Sequence, residues 1–139
     1  MVPQQEVRRL VEIAVNEDLG WGDATSEAII PADLKAVGKI VAREEGVLAG
    51  IEVATEVFRV IDPSVEFEGL VADGEVIKSA QPLAMVRGPA RSILAGERVA
   101  LNFLQHLSGV ATLTSRYVRA VAGHRASLTL GRPPPACER

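Results

Sequence analysis

Apolar residues along the first half of the chain recur at helical spacing in two segments. The first helix is predicted from five residues at i, i+3, i+4, i+7 and i+8: Val7, Leu10, Val11, Ala14 and Val15. Pro3 stands near its first turn, where a missing N–H is tolerated, and "EDLGWGDATS" ends it with two glycines and Asp/Thr turn residues. The second helix is predicted from Ile51, Ala54, Val57, Phe58 and Ile61. Asp62-Pro63 closes it.

β-structure is predicted on both sides of the second helix. "LKAVGKIVAREEGVLAG" has short β-branched runs broken by glycine, which predicts a strand and a turn containing Glu44 and Glu45, with turn positions at Gly46 and Gly50. "VEFEGLV" alternates apolar and acidic residues, as a half-exposed strand does. "GEVIKSAQPLAMVRG" is a further β segment.

The last third of the chain is predicted to be helical until Gly123. "GPARS" opens a long helix that runs to about Leu107, and Ser108-Gly109 is predicted to break it. A further helix is predicted from Val110, Leu113, Tyr117, Ala120 and Val121. The remaining "ASLTLGRPPPACER" begins like a strand and then has no pattern that would pack.

Composition narrows the class of protein. The 139 residues are 47% hydrophobic and 24% charged, as expected of a globular domain, and only 4% aromatic, so Val, Ile, Leu and Ala must build the core. The net charge of −3 and the interleaved charges argue against a nucleic-acid surface. No stretch is long enough for a membrane span, and the single Cys137 excludes an internal disulfide. The amphipathic, acid-containing first segment argues against a secretory signal, which makes the cytoplasm the expected location.

One basic residue of the long helix falls on its apolar side. Arg98 follows Leu94 by four residues and precedes Leu101 by three, so all three share a helical face. A guanidinium on a buried face needs an anion, because arginine does not lose its proton. Arg98 also begins a polar column with Asn102, Gln105 and His106. The column is either a solvated face or the edge of an anion site, and spacing alone does not decide.

The segment "GPARSILAGERVALNFLQHLSGVATLTSRYVRAVAG" resembles the quinolinate phosphoribosyltransferases, also called nicotinate-nucleotide pyrophosphorylases (carboxylating). "EDLGWGDATS", "GVLAGIEVATEVFRVIDP" and "DGEVIKSAQPLAMVRG" match the same family in the same order. The resemblance covers about residues 5 to 123 and only about the first half of a full-length member. It implies an α+β chain: an α/β-sandwich N-terminal domain with its long helix in residues 1–110, the start of an α/β barrel in 111–124, and an aberrant tail in 125–139.

The resemblance also implies an activity. Members transfer ribosyl phosphate from phosphoribosyl pyrophosphate to quinolinate, with Mg2+, and release pyrophosphate and CO2 to give nicotinate mononucleotide for NAD synthesis. They form homodimers or larger assemblies. The arginine of "ERVALN" contacts quinolinate in the neighbouring subunit and matches Arg98. Asn102 and His106, on the same polar column, are candidates to support it, and a structural role is the alternative for His106 because the family motif does not require histidine there. A catalytic group and metal ligands are not expected in this part of the family, because they belong to the barrel.

The tail departs from the family. A member would continue into "DTRKTTPGLR", whose arginine and lysine supply much of the substrate site; Arg132 does not match that arginine, because its neighbours differ. Allowed codons for Leu128–Glu138 spell "DTRKTTPGLR" in another frame. We therefore expect a frame change near residues 123–127, which the gene sequence would test, and an inactive polypeptide.

Other residues and other protein classes fit parts of the sequence less closely. Asp23 and Thr25 are interpreted as turn residues and Trp21 as a packing anchor, while His124 and Cys137 receive no role.

One alternative to the quinolinate enzymes is a pyrophosphorylase paralogue linked to molybdenum uptake. Another is a lipoyl- or biotinyl-type binding module, suggested by "DGEVIKSAQPLAMVRG", although Lys35 and Lys39 fall in a strand pattern rather than at a hairpin tip. The third alternative is the product of a broken gene, which would have no activity of its own.

Overall fold

The computed structural model describes residues 2–20 and 29–123 of the chain. Helices α1, α2 and α3 span Gln4–Leu19, Ile51–Ile61 and Ala90–Val121. Strands β1 to β5 span Lys35–Val41, Gly46–Val47, Glu66–Gly69, Val76–Ile77 and Pro82–Pro89. The mixed α/β fold expected of the N-terminal domain is confirmed, and the sequence predictions of α1, α2 and the β segments are confirmed with it.

The main sheet is antiparallel, with strand order β1-β5-β3. Gly38 and Phe67 both pair with Val86 of the central strand, so these three positions share one face of the sheet. Val86 is buried on that face, whereas Val37 of the opposite face is 64% exposed. The sheet is therefore covered on one side, and β2 and β4 form a separate two-stranded ribbon beside it.

The helices cover the inner face of the sheet and pack on one another. Helix α2 lies between α1 and α3, and α3 also contacts β1, β2 and β5. The ring of Phe58 in α2 stacks on Phe67 of β3, with ring centroids 5.6 Å apart. Gly96 allows α3 to approach this ring closely, since a Cβ at that position would lie 2.7 Å from Cε1 of Phe58. The contact between α2 and α3 is thus a tightly packed part of the core.

The predicted helix break at Ser108-Gly109 is wrong, because α3 continues unbroken to Val121. The Ser108 hydroxyl accepts a hydrogen bond from the Ala49 N–H at 3.0 Å and lies 3.1 Å from the Ala49 carbonyl oxygen, to which it can donate. Four residues on, Oγ1 of Thr112 accepts one from the Val47 N–H at 2.9 Å. These contacts attach α3 to β2 and the segment that follows it. They outweigh the helix cost of a glycine, about 1 kcal/mol.

Several smaller predictions have mixed outcomes. Glu44 and Glu45 lie exposed between β1 and β2, as predicted for turn acids. Gly50 precedes α2 with φ +105°, as a turn position should, but Gly46 begins β2 and was wrongly predicted as a turn position. Its lack of a side chain serves close packing, because a Cβ there would lie 2.6 Å from Oγ1 of Thr112.

The predicted domain limits remain predictions. Helix α3 crosses the proposed boundary between residues 110 and 111 without interruption. Residues 125–139 lie outside the described residues, as do Trp21, Asp23, Thr25 and His124. No helix in the described ranges has the length and apolar character needed to cross a membrane.

Candidate functional site

Arg98 lies on the solvent-facing side of α3, with 78% of its side chain exposed. The prediction that it lies on a buried apolar face is wrong. Helix α3 buries the side that carries Gly96, Val99 and Ala100, and Leu94 on the side of Arg98 remains 41% exposed. Because Arg98 is exposed, its charge does not need an anion partner within the fold. A role in ligand binding must therefore rest on the accessibility of Arg98 and on what the resemblance to the family implies.

Arg98 does have one charged partner within the described fold. Its Nη1 lies 3.7 Å from Oδ1 of Asp18 near the end of α1. That distance is longer than a hydrogen bond, so the contact is a loose ion pair. Exposed pairs of this kind contribute about 0–1 kcal/mol, which a ligand carboxylate could match or exceed. The guanidinium is thus held near α1 while most of its surface faces solvent.

Asn102 and His106 follow Arg98 along the same face of α3, and Gln105 lies beside them. All four side chains are exposed, so the predicted polar column exists and faces solvent. The column presents a cation, two amides and an imidazole over about two helical turns. Such a surface can bind a carboxylate by charge and by N–H donation.

An open groove runs beside this column, between β1 and α3. Its volume is about 990 Å³, and its floor includes Ile40, Val86 and Leu104. Leu101 and Gln105 belong both to the column side of α3 and to the groove wall. The polar column therefore borders a largely apolar cleft, which Arg98, Asn102 and His106 themselves do not line. The sequence pattern did not predict this cleft.

Two charged clusters outside this site hold the helices together. Glu56 of α2 is buried and pairs with Arg59 at 2.8 Å and with Arg8 of α1 at 3.5 Å. At the end of α2, the Ser92 hydroxyl donates to Oδ2 of Asp62 at 2.6 Å, and this hydrogen bond lowers the pKa of Asp62. Hydrogen bonds from Ser64 lower it further. The first cluster joins α1 to α2 and the second joins the end of α2 to α3, and neither extends the polar column.

The described residues offer no group of three or more His, Cys, Asp or Glu side chains that could hold a metal ion. Lys35 and Lys39 lie in β1, as the strand pattern predicted.

Comparison with known proteins identifies the family. The N-terminal domain of quinolinate phosphoribosyl transferase matches residues 23–108, which is more than half of the chain. The chain therefore belongs to the quinolinate phosphoribosyltransferase family. This finding confirms the resemblance found in the sequence, and it leaves the carrier-module alternative without support.

Individual relatives agree with this assignment. Quinolinate phosphoribosyltransferase [decarboxylating] 1b of Nicotiana tabacum is 38% identical over 127 residues, covering 91% of this chain and 36% of its own length. A chloroplastic nicotinate-nucleotide pyrophosphorylase [carboxylating] of Oryza sativa is 39% identical, with 91% and 34% covered. The chain thus spans about a third of the length of these curated relatives. Because some relatives are named as chloroplastic or mitochondrial, the cytoplasmic location stays a prediction.

Solved structures show the same fold. NadC from Streptococcus pyogenes is 36% identical with a TM-score of 0.86, and the match covers 91% of this chain and 45% of that one. The nicotinate-nucleotide pyrophosphorylase of Francisella tularensis is 34% identical with a TM-score of 0.82, over 88% and 44%. The names of these relatives favour the quinolinate enzymes over the molybdenum-linked paralogue.

Proposed function

We propose that this chain supplies the N-terminal part of an enzyme that makes nicotinate mononucleotide from quinolinate and phosphoribosyl pyrophosphate, releasing pyrophosphate and CO2. The family match over residues 23–108 is the observation that supports this proposal. The remaining part of a full-length relative makes up more than half of its length. In this proposal that part holds the phosphoribosyl pyrophosphate site and the Mg2+ ligands.

Arg98 contributes the binding of a quinolinate carboxylate. Quinolinate carries two carboxylates on a pyridine ring, and a guanidinium offers paired N–H donors that match a carboxylate in geometry and charge. A charge-assisted hydrogen bond contributes about 1.5–3 kcal/mol. The 78% exposure of Arg98 leaves these donors accessible, and Asn102 and His106 lie on the same face to assist.

The carboxylate that Arg98 binds lies in the active site of a second subunit. A side chain that points away from its own fold can enter a cleft formed by a partner. A homodimer with twofold symmetry would then place one Arg98 in each of two equivalent sites. Larger assemblies built from such dimers keep the same arrangement.

A chimeric enzyme tests this proposal. Residues 1–123 of this chain replace the matching N-terminal portion of Streptococcus pyogenes NadC, to which they are 36% identical. Formation of nicotinate mononucleotide is measured with varied quinolinate and with varied phosphoribosyl pyrophosphate. The variant Arg98→Ala is compared with Arg9→Ala, which removes an exposed arginine from α1.

Loss of one charge-assisted contact predicts a fall in kcat/KM for quinolinate of about tenfold to a hundredfold in Arg98→Ala. The Arg9→Ala chimera should keep the activity of the parent chimera. An Arg98→Ala chimera with unchanged quinolinate kinetics would contradict the assigned role of Arg98. A well-folded chimera without any transferase activity would contradict the proposed function of the chain.

A further inference from the structure

The side chain of Asp18 approaches Arg98 from a different helix. Asp18 lies in the last turn of α1, and its Oδ1 is 3.7 Å from Nη1 of Arg98. The two side chains are buried to very different extents, with 26% of Asp18 and 78% of Arg98 exposed. The acid is therefore the more fixed member of the pair, and the arginine is the member that can move.

Asp18 is an unfavourable residue for α1 itself. The C-terminal end of a helix carries partial negative charge, which disfavours an acid there by about 0.3–1 kcal/mol. The last turn of α1 contains no basic residue that would offset this cost. A positive charge from outside the helix compensates it, and Arg98 provides that charge.

The position of α1 does not depend on this ion pair. Val11 is fully buried and Val15 is 4% exposed, so the helix is held by apolar packing against α2 and α3. Arg8 adds a contact to the buried Glu56 of α2. The carboxylate of Asp18 is therefore placed by the fold, and its position does not depend on Arg98.

The geometry leaves Arg98 able to bind a second anion. The pair joins a single Nη1 to a single Oδ1 beyond hydrogen-bonding distance, so it is not a bidentate pair that would occupy one edge of the guanidinium. A ligand carboxylate can take the remaining N–H donors without displacing Asp18. The pair restricts the motion of Arg98 and so lowers the entropy that is lost when the ligand binds.

We propose that Asp18 is a positioning residue, which orients the Arg98 guanidinium so that its remaining N–H donors face a quinolinate carboxylate. This inference rests on the proposed function of Arg98. Asp18 touches no substrate, and it acts on substrate affinity through Arg98.

The pairing itself is tested in the full 139-residue chain by NMR of the Arg98 Nε–Hε group, assigned with Arg98→Lys. Asp18→Asn should lower the order of the Arg98 guanidinium, measured by its heteronuclear NOE, with the backbone amide spectrum otherwise retained. Glu17→Gln is the matched control, because it removes the neighbouring exposed charge from the same turn. An unchanged Arg98 signal in Asp18→Asn, or an equal effect in Glu17→Gln, would overturn the positioning role.

The effect on substrate is tested in the chimeric enzyme. Asp18→Asn should raise the KM for quinolinate about threefold, in line with the strength of an exposed ion pair, with kcat and the KM for phosphoribosyl pyrophosphate unchanged. Glu17→Gln should leave all three values unchanged. A lower KM for quinolinate in Asp18→Asn would show that the acid competes with the ligand, and an unchanged KM would show no positioning; either result overturns the inference.

Failure of the inference can be separated from failure of the proposed function. If Arg98→Ala impairs the use of quinolinate but Asp18→Asn changes neither the NMR signal nor the KM, only the role of Asp18 is refuted. If Arg98→Ala has no effect on quinolinate kinetics, the role of Arg98 is refuted, whatever the NMR signal shows.

Discussion

Gly96 and Gly109 lie in the same helix but in opposite environments, and alanine at each position should have opposite effects on stability. A Cβ at Gly96 would lie 2.7 Å and 2.9 Å from two ring atoms of Phe58 and 3.1 Å from Cδ1 of Ile61. A Cβ at Gly109 would meet no atom within 4 Å. Both substitutions gain the same helix propensity, so the comparison isolates the packing at Gly96.

The magnitudes follow from these contacts. Replacing glycine by alanine inside a helix stabilises by about 1 kcal/mol at an unobstructed position, which is the expected change for Gly109→Ala. At Gly96 the same gain is opposed by overpacking, which costs about 1–3 kcal/mol when a rigid core ring must move. Phe58 is 2% exposed and stacked on Phe67, so its ring has little space into which it can shift. The free energy of unfolding of Gly96→Ala should therefore fall about 1–3 kcal/mol below that of Gly109→Ala.

The assay is urea denaturation of the wild-type chain and the two variants, followed by circular dichroism. We expect the midpoint to rise in Gly109→Ala and to fall in Gly96→Ala, with similar slopes for all three proteins. Equal stabilisation by both substitutions would refute the close approach of α3 to α2 at Gly96. That approach sets the rotation of α3, and through it the direction in which Arg98 points.

Three further predictions follow from contacts of α3 and from the length of the chain. Ser108→Ala should lower the free energy of unfolding by about 1 kcal/mol in the same denaturation assay, because the half-buried Ala49 N–H loses its acceptor, and an unchanged midpoint would contradict that contact. Asp62→Asn should destabilise the fold at neutral pH. Folding lowers the pKa of Asp62 from 3.8, so the stabilisation by its carboxylate is lost as the pH falls below that value. The difference in free energy of unfolding between Asp62→Asn and wild type should therefore shrink in acid. A difference that persists in acid would contradict the charged contact to Ser92. The 139-residue polypeptide alone should form no measurable nicotinate mononucleotide in a radiolabelled-substrate assay, and detectable product would refute the proposed need for a barrel.

Local pattern predicted most of the fold, because α1, α2 and the strands have clear apolar periodicity. The continuity of α3 could not be predicted in this way. Ser108 and Gly109 are locally typical of a helix end, and the contacts that keep the helix intact involve Ala49 and Val47, about sixty residues earlier. Hydrogen bonds at that separation leave no periodic signal in the sequence.

The environment of Arg98 was predicted wrongly for a similar reason. Large apolar residues at Leu94 and Leu101 suggested a buried face, but α3 approaches α2 at Gly96, and the small residue Ala100 is fully buried. Small residues are typical of closely packed helices. A prediction based on large hydrophobic side chains therefore places the buried face of α3 too close to Arg98. The acid at Asp18, unfavourable in the last turn of its own helix, was the available signal for the ion pair.

Complementation between two chimeras shows whether Arg98 serves a site in another subunit. One chimera carries Arg98→Ala on an intact barrel half, and the other keeps Arg98 on a barrel half whose basic substrate-binding residues have been replaced. With quinolinate well below its KM, the first chimera alone should keep about 1–10% of the parent activity and the second should have none. The co-expressed pair should recover about a quarter of the parent activity, because half of the dimers are mixed and each mixed dimer has one complete site. A co-expressed pair with no more activity than the Arg98→Ala chimera alone would show that Arg98 does not serve a site in another subunit.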